Sequence, residues 1–234
     1  MKFLPHGIVA LLLFVLVTPA MAAIEVEGDA YINYSSMYLW RGFDLSDSDP
    51  VMQGGMDLSF KGLTLSYWSN LDLDSGEINE TDITIDYSFD PSELVSVSVG
   101  NIFYSLEGLE DTNELYLGVT LNTILAPTLT LYYDYDEADE TGLFYTFSVG
   151  HDLELSEALT LSLGGLVSYN QESDYAIGDY DDWHNYELSA SADYALTDQI
   201  SLSPAVVFSD SISDDADDVI DDEFMAGLTL TLSF

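Results

Sequence analysis

Along most of this chain, large apolar side chains alternate with small or polar ones. Near the carboxy terminus Phe224, Ala226, Leu228, Leu230, Leu232 and Phe234 hold the even positions, and Gly227, Thr229, Thr231 and Ser233 the odd ones. A period of two belongs to a β-strand, whose successive side chains point to opposite faces. The same parity recurs upstream. Ile83, Ile85, Tyr87 and Phe89 form one apolar face, as do Val95, Val97 and Val99, Leu115, Leu117, Val119 and Leu121, and Leu143, Tyr145, Phe147 and Val149. Thr84, Asp86, Ser88, Ser96, Ser98, Gly100, Gly118, Thr120, Thr146 and Ser148 fill the opposite faces. A slip of one residue would exchange the two faces, so the register is strongly specified.

The alternation predicts twelve strands, at about 27–40, 52–60, 63–70, 81–89, 94–103, 113–121, 128–135, 143–150, 159–170, 183–194, 200–209 and 223–234. The connections alternate too. Residues 41–51, 70–80, 104–112, 136–141, 170–183 and 210–223 form longer, acidic links, whereas 61–62, 90–92, 122–127, 151–157 and 195–199 are tighter. Long outer loops, short periplasmic turns and an even strand number are the pattern of an all-β, antiparallel, up-and-down transmembrane barrel. A soluble β-sandwich would also alternate. Its water-facing side, however, would carry Lys, Glu and Arg, where this chain places Ser, Thr and Gly. Aromatic residues near strand ends, including Tyr38, Trp40, Phe60, Phe89, Phe103, Tyr135, Trp183 and Phe234, match interfacial girdles.

Residues 1–22 read as a cleaved secretory leader: Lys2 and His6, an apolar core at 7–17, then Ala20-Met21-Ala22. That core is too short for a transmembrane helix, which needs about 20 residues. Residues 23–234 then form the barrel domain. There is no cysteine, which excludes disulfides and Cys-based sites. The 234 residues carry 43 acids against three Lys or Arg, a formal charge of −40, and outside the leader the only strong bases are Arg41 and Lys61. Such a charge repels nucleic acid and attracts cations. More than half of the acids fall in the six longer links.

The first hairpin, Trp40-Arg41-Gly42-Phe43-Asp44-Leu45-Ser46-Asp47-Ser48-Asp49-Pro50-Val51-Met52-Gln53-Gly54-Gly55-Met56-Asp57, resembles the signature of the TorF-type porin (Gcw_chp) family of bacterial outer-membrane proteins. Trp68-Ser69-Asn70, residues 113–118 and Tyr180-Asp181-Asp182-Trp183 resemble later family blocks. Leu45 stands where members often have Gln, and the final loop is unusually acidic. The resemblance implies an outer-membrane, channel-like protein and brings no substrate.

The expected activity is passive diffusion of small ions or solutes through a narrow or partly filled passage, since twelve strands fall between a side-chain-packed bore and an open channel. Asp57, Asp86, Asp134, Glu187 and Asp193 are expected on the inner face, with Asn33, Gln53 and Trp68. There they either make the passage cation-preferring or simply pair with Arg41 and solvent. Arg41 either forms a lumenal constriction with Asp57 or Asp86 or braces the first loop. Asp214, Asp215, Asp217, Asp218, Asp221 and Asp222 are dense enough to suggest a hard divalent cation, yet lack EF-hand spacing and read more simply as a solvated loop or a divalent bridge to lipopolysaccharide. Leu228, Leu230, Leu232 and Phe234 are expected to be read by the barrel-assembly machinery. No cofactor is implied. A hydrolase would need Ser beside His on the lipid face; His151 is expected in a turn, and His184 outward with Tyr186, not Ser, at the next outward position. A non-conducting structural or adhesive barrel remains the alternative.

Overall fold

The computed structural model describes residues 26–139 and 142–234, so the leader at 1–22 lies outside the described residues. The strands are β1 (Glu27–Ser35), β2 (Leu39–Trp40), β3 (Phe43–Asp44), β4 (Val51–Phe60), β5 (Leu63–Asp72), β6 (Ile78–Ser92) and β7 (Val95–Leu106). They continue with β8 (Thr112–Leu121), β9 (Thr128–Asp134), β10 (Leu143–Ser156), β11 (Leu159–Ser173), β12 (Gly178–Ala195), β13 (Ile200–Ser211) and β14 (Glu223–Ser233). A one-turn helix, α1 (Asp214–Asp217), precedes β14.

Twelve of these strands close an antiparallel barrel in which β1 pairs with both β4 and β14; β2 and β3 form a separate small hairpin. At the seam Ala30 lies opposite Leu232, Ile32 opposite Leu230 and Tyr34 opposite Leu228. Closure leaves no sheet edge. In hydrocarbon this decides the architecture, because each unpaired backbone polar group costs several kcal/mol there. The parity read from the sequence separates the two faces. Ile32, Tyr34, Leu65, Ile85, Tyr87, Leu117, Phe147, Leu163, Leu188, Leu228, Leu230 and Leu232 are exposed on the outer wall. A charge on that belt would cost about 2–4 kcal/mol at mid-depth.

Several boundaries differ from the expectation. The first strand ends at Ser35 rather than near Trp40, and residues 36–50 (loop 1) leave the wall. The link expected at 170–183 shrinks to 174–177, because β11 and β12 extend their ladder to Ser173↔Gly178. The turn expected at 90–92 moves to 93–94, with β6 running through Pro91 to Ser92. His151 is a strand residue of β10 whose Nδ1 lies 2.9 Å from the Ile124 carbonyl.

Fully packed side chains are confined to the long-loop, outer end. The buried apolar residues are Met37, Tyr38, Val51, Tyr104, Phe144, Ile177, Ala216 and Ile220. The inner end instead shows open space of about 550 Å³ against β10–β12, lined in part by Gly150, Asp152, Ser162, Gly164, Ser189 and Ser191. The molecule thus has its core inside the mouth of the barrel.

Candidate functional site

Loop 1 builds that core. Trp40 and Phe43 pair across a two-residue turn, Arg41-Gly42, in which both residues have positive φ (49° and 87°). Two positive φ values are what a hairpin turn of the type I′ class requires. Gly42 is needed twice over, since a Cβ there would also sit 2.8 Å from Ile220 Cδ1. The loop is rigidified internally. The Asp44 carboxylate accepts hydrogen bonds from Ser46 N (2.9 Å) and Ser48 N (2.5 Å), Ser46 Oγ accepts from Tyr38 N (2.8 Å), and Leu45 N donates to Tyr38 O (2.8 Å).

The hairpin tip crosses the bore. Arg41 leaves from the β1–β4 side and donates to both carboxylate oxygens of Glu114 on β8, at 2.8 and 2.7 Å. In the circular strand order β8 and β9 lie nearly opposite β1. The guanidinium also lies 4.4 Å from the ring centre of Trp40, 4.7 Å from Tyr132 on β9 and 4.5 Å from Phe144 on β10. Aromatic faces attract a cation at such distances. Burial works against the charge of Arg41, but Glu114, Tyr104 and Tyr132 around it raise its pKa above the ordinary arginine value. Glu114 accepts a further bond from the Tyr104 hydroxyl at 2.8 Å.

A β-bulge supplies the last anchor. Between the pairs Val167↔Tyr186 and Tyr169↔Trp183, β12 spends two residues, His184 and Asn185, where β11 spends one. Both are fully buried. His184 therefore points into the barrel, not outward as the simple parity predicted; the extra residue shifts the phase of the strand. Its Nε2 lies 2.7 Å from the Arg41 carbonyl, its Nδ1 contacts the Tyr180 hydroxyl, and its ring stacks on Phe43 at 5.6 Å. Asn185 Nδ2 bonds Ser209 Oγ at 2.9 Å and Glu187 Oε1 at 3.1 Å.

The expected lumenal acids do not converge on Arg41. Asp57 on β4 lies opposite Asp29 and Ser66 in register. Asp86 accepts from the Tyr116 hydroxyl (2.6 Å) and Ser88 Oγ (2.7 Å). Asp134 is buried and takes the Thr112 hydroxyl at 2.9 Å on both oxygens. Glu187 is held by Asn185, and Asp193 lies opposite Thr160 near the inner rim. Asp214, Asp215 and Asp217 form the acidic first turn of α1, capped by Ser213, with Asp218 closing it and Asp221 and Asp222 following in the link to β14. Among the described residues no three His, Cys, Asp or Glu side chains are grouped to hold a metal. Leu228, Leu230 and Leu232 face outward, and Phe234 exchanges backbone bonds with Gly28 at 2.8 and 2.9 Å across the seam.

Glu114, Tyr104, Tyr132, Phe144 and His184 were not singled out as lumenal from sequence. A signal existed: Glu114, Tyr132 and Phe144 occupy positions whose parity assigns them to the small-residue face, where a bulky side chain must have something to pack against.

No family model matches the chain, and no curated protein matches it. Among solved structures, the chain is similar to the NanC porin (14% identity, 88% of this chain and 98% of that one, TM-score 0.56). It is also similar to the KdgM porin in complex with disordered oligogalacturonate (13% identity, 89% and 99%, TM-score 0.56). An outer-membrane phospholipase A from Escherichia coli shares the fold as well (15% identity, 87% and 89%, TM-score 0.51). What these structures share with the chain is the fold of bacterial outer-membrane barrels, and the apolar belt points to the same membrane.

Proposed function

We propose that this protein is an outer-membrane channel for passive diffusion of small solutes, narrowed on its outer side by loop 1 and preferring cations. One observation carries the reading. Arg41, the only arginine outside the leader region, is committed to Glu114, which leaves Asp57, Asp86, Asp134, Glu187 and Asp193 on the lumen wall with no basic side chain bonded to them among the described residues. Fixed carboxylates raise the local cation concentration and repel anions. Oligogalacturonate, the molecule named with the KdgM porin, is a polyanion and would meet repulsion here. Reversal potentials of the purified protein in planar bilayers under a potassium chloride gradient test the reading. Cation preference is expected; anion preference overturns it.

Hydrolysis is disfavoured although a phospholipase shares the fold, because fold does not fix function. Both ring nitrogens of His184 are engaged, by Arg41 O and the Tyr180 hydroxyl, so neither is free to activate a nucleophile. The packing of loop 1 favours a second reading, a non-conducting structural or adhesive barrel; absence of single-channel steps would establish it. The proposal includes removal of residues 1–22, kinship with the TorF-type porins, contacts with lipopolysaccharide, and recognition of Leu228, Leu230, Leu232 and Phe234 by the assembly machinery. Deleting Phe234 is expected to lower membrane yield, and normal insertion would remove that last element.

A further inference from the structure

Loop 1 does not fill the mouth completely. Between it and β6–β8 lies a cleft of about 360 Å³ walled by Tyr38, Trp40, Tyr104 and Tyr175, with Glu80 and Glu114 among its lining. Trp40 and Tyr104 meet edge to face at 6.4 Å, so the aromatic wall is fixed. Of the three carboxylates in the lining, Glu80, Glu107 and Glu114, only Glu114 has a basic partner among the described residues. Glu80 is 8% exposed and engages the Tyr38 hydroxyl.

Two further observations fall beside Glu80. Asn70, fully buried, lies opposite it in register; its Nδ2 donates to Asn79, another cleft residue, at 2.8 Å, and its Oδ1 has no donor. Two residues along the same face of β6, about 7 Å deeper at strand rise, Asp82 Oδ1 is likewise buried without a donor. Both unsatisfied atoms are acceptors. A buried acceptor left unmade costs about 1–3 kcal/mol, and more when charged. Asn70 borders the cleft through Asn79 and Glu80, so a ligand there that donates hydrogen bonds is favoured, and three carboxylates in the lining against one basic partner favour a cation. Aromatic walls attract cations and accommodate an apolar body. A primary ammonium brings three N–H donors, as a lysine side chain does; a quaternary ammonium brings none.

We propose that this cleft binds protonated primary amines carrying an apolar body, and that it is the entry site of the passage. The inference deepens the cation-preferring reading and rests on it for the direction of travel, but binding itself is measurable without transport. The test is isothermal titration calorimetry on the full barrel in zwitterionic detergent with 2-phenylethylamine, phenyltrimethylammonium and phenylacetate. Saturable binding of 2-phenylethylamine is expected, with phenyltrimethylammonium about tenfold weaker for want of N–H donors and phenylacetate silent. Glu80→Gln, with folding checked by heat-modifiable gel migration, is expected to weaken the amine about tenfold. Leu109→Arg, at a cleft residue that is 69% exposed and tolerant of change, places a repelling charge at the rim and is expected to weaken it too. No saturable heat with the amine, equal binding of either comparison compound, or unchanged affinity in both variants overturns the assignment. Anion preference in bilayers beside intact amine binding would sink the passage and spare the cleft; cation preference without amine binding would do the reverse.

Discussion

The outer and inner halves of this barrel share the same strands and the same alternation, yet differ in what their inward faces hold. The outer half is packed by Tyr38, Tyr104, Glu114, Phe144, His184 and Asn185 around the Arg41 hairpin. The inner half is walled by hydroxyls and glycines, whose bonds are short and local, such as Ser59 to Thr64 and Thr120 to Thr128, each at 2.8 Å. A β-wall fixes backbone and register but leaves the lumen free to be furnished independently at each depth. Side-chain volume at inward positions, not strand count, then sets how narrow each level is.

The strongest way to break this comparison is to shorten loop 1, replacing residues 37–49 with a two-residue Asn-Gly turn. Conductance is expected to rise severalfold, because the side chains that pack the outer half around the hairpin lose their centre. An unchanged single-channel conductance would show that the inner half, not loop 1, limits flow. Next comes Arg41→Ala. It leaves Glu114 buried without its cation, a loss of about 3–5 kcal/mol, read as a lower unfolding midpoint in urea, with larger and noisier current steps. Adding Glu114→Gln should restore part of that stability, since the two losses are coupled.

Much of this contrast was legible beforehand, and its gaps have physical reasons. Parity separated lipid-facing Ile85 and Leu117 from lumenal Asp86 and Gly118 because a period of two survives anywhere both solvents are fixed. The course of loop 1 was not legible. Tyr38 and Trp40 continue an aromatic alternation that reads as strand, and nothing local announces that Ser36 begins a departure from the wall. His184 was misassigned because a bulge costs one residue and leaves no compositional mark. Arg41 was recognised as singular, but its partner lies 73 residues away on the far wall, a distance in sequence that pattern reading does not cross.

Smaller effects sharpen the comparison. His184→Phe preserves the stacking on Phe43 but removes the ring nitrogens facing Arg41 O and Tyr180. A loss of about 1–3 kcal/mol is expected, with hydrogen exchange accelerating in loop 1 and not in the inner turns. Ser162→Ala, in the inner half, deletes only the 2.6 Å bond to Asp152 at an accessible site. It is expected to shift stability by less than about 0.5 kcal/mol and to leave conductance unaltered. A large effect of Ser162→Ala would mean the inner wall is as tightly organised as the outer.

The seam between β1 and β14 bears on how such a molecule is made. The strand β1 stays half-paired until β14 reaches it, because Ile32 and Tyr34, opposite Gly54 and Met52 on β4, gain their second neighbours at Leu230 and Leu228. During that interval β1 and β13 each carry an unpaired row of amides able to template foreign strands. Any slowing of the final hairpin therefore lengthens the time in which aggregation competes with closure.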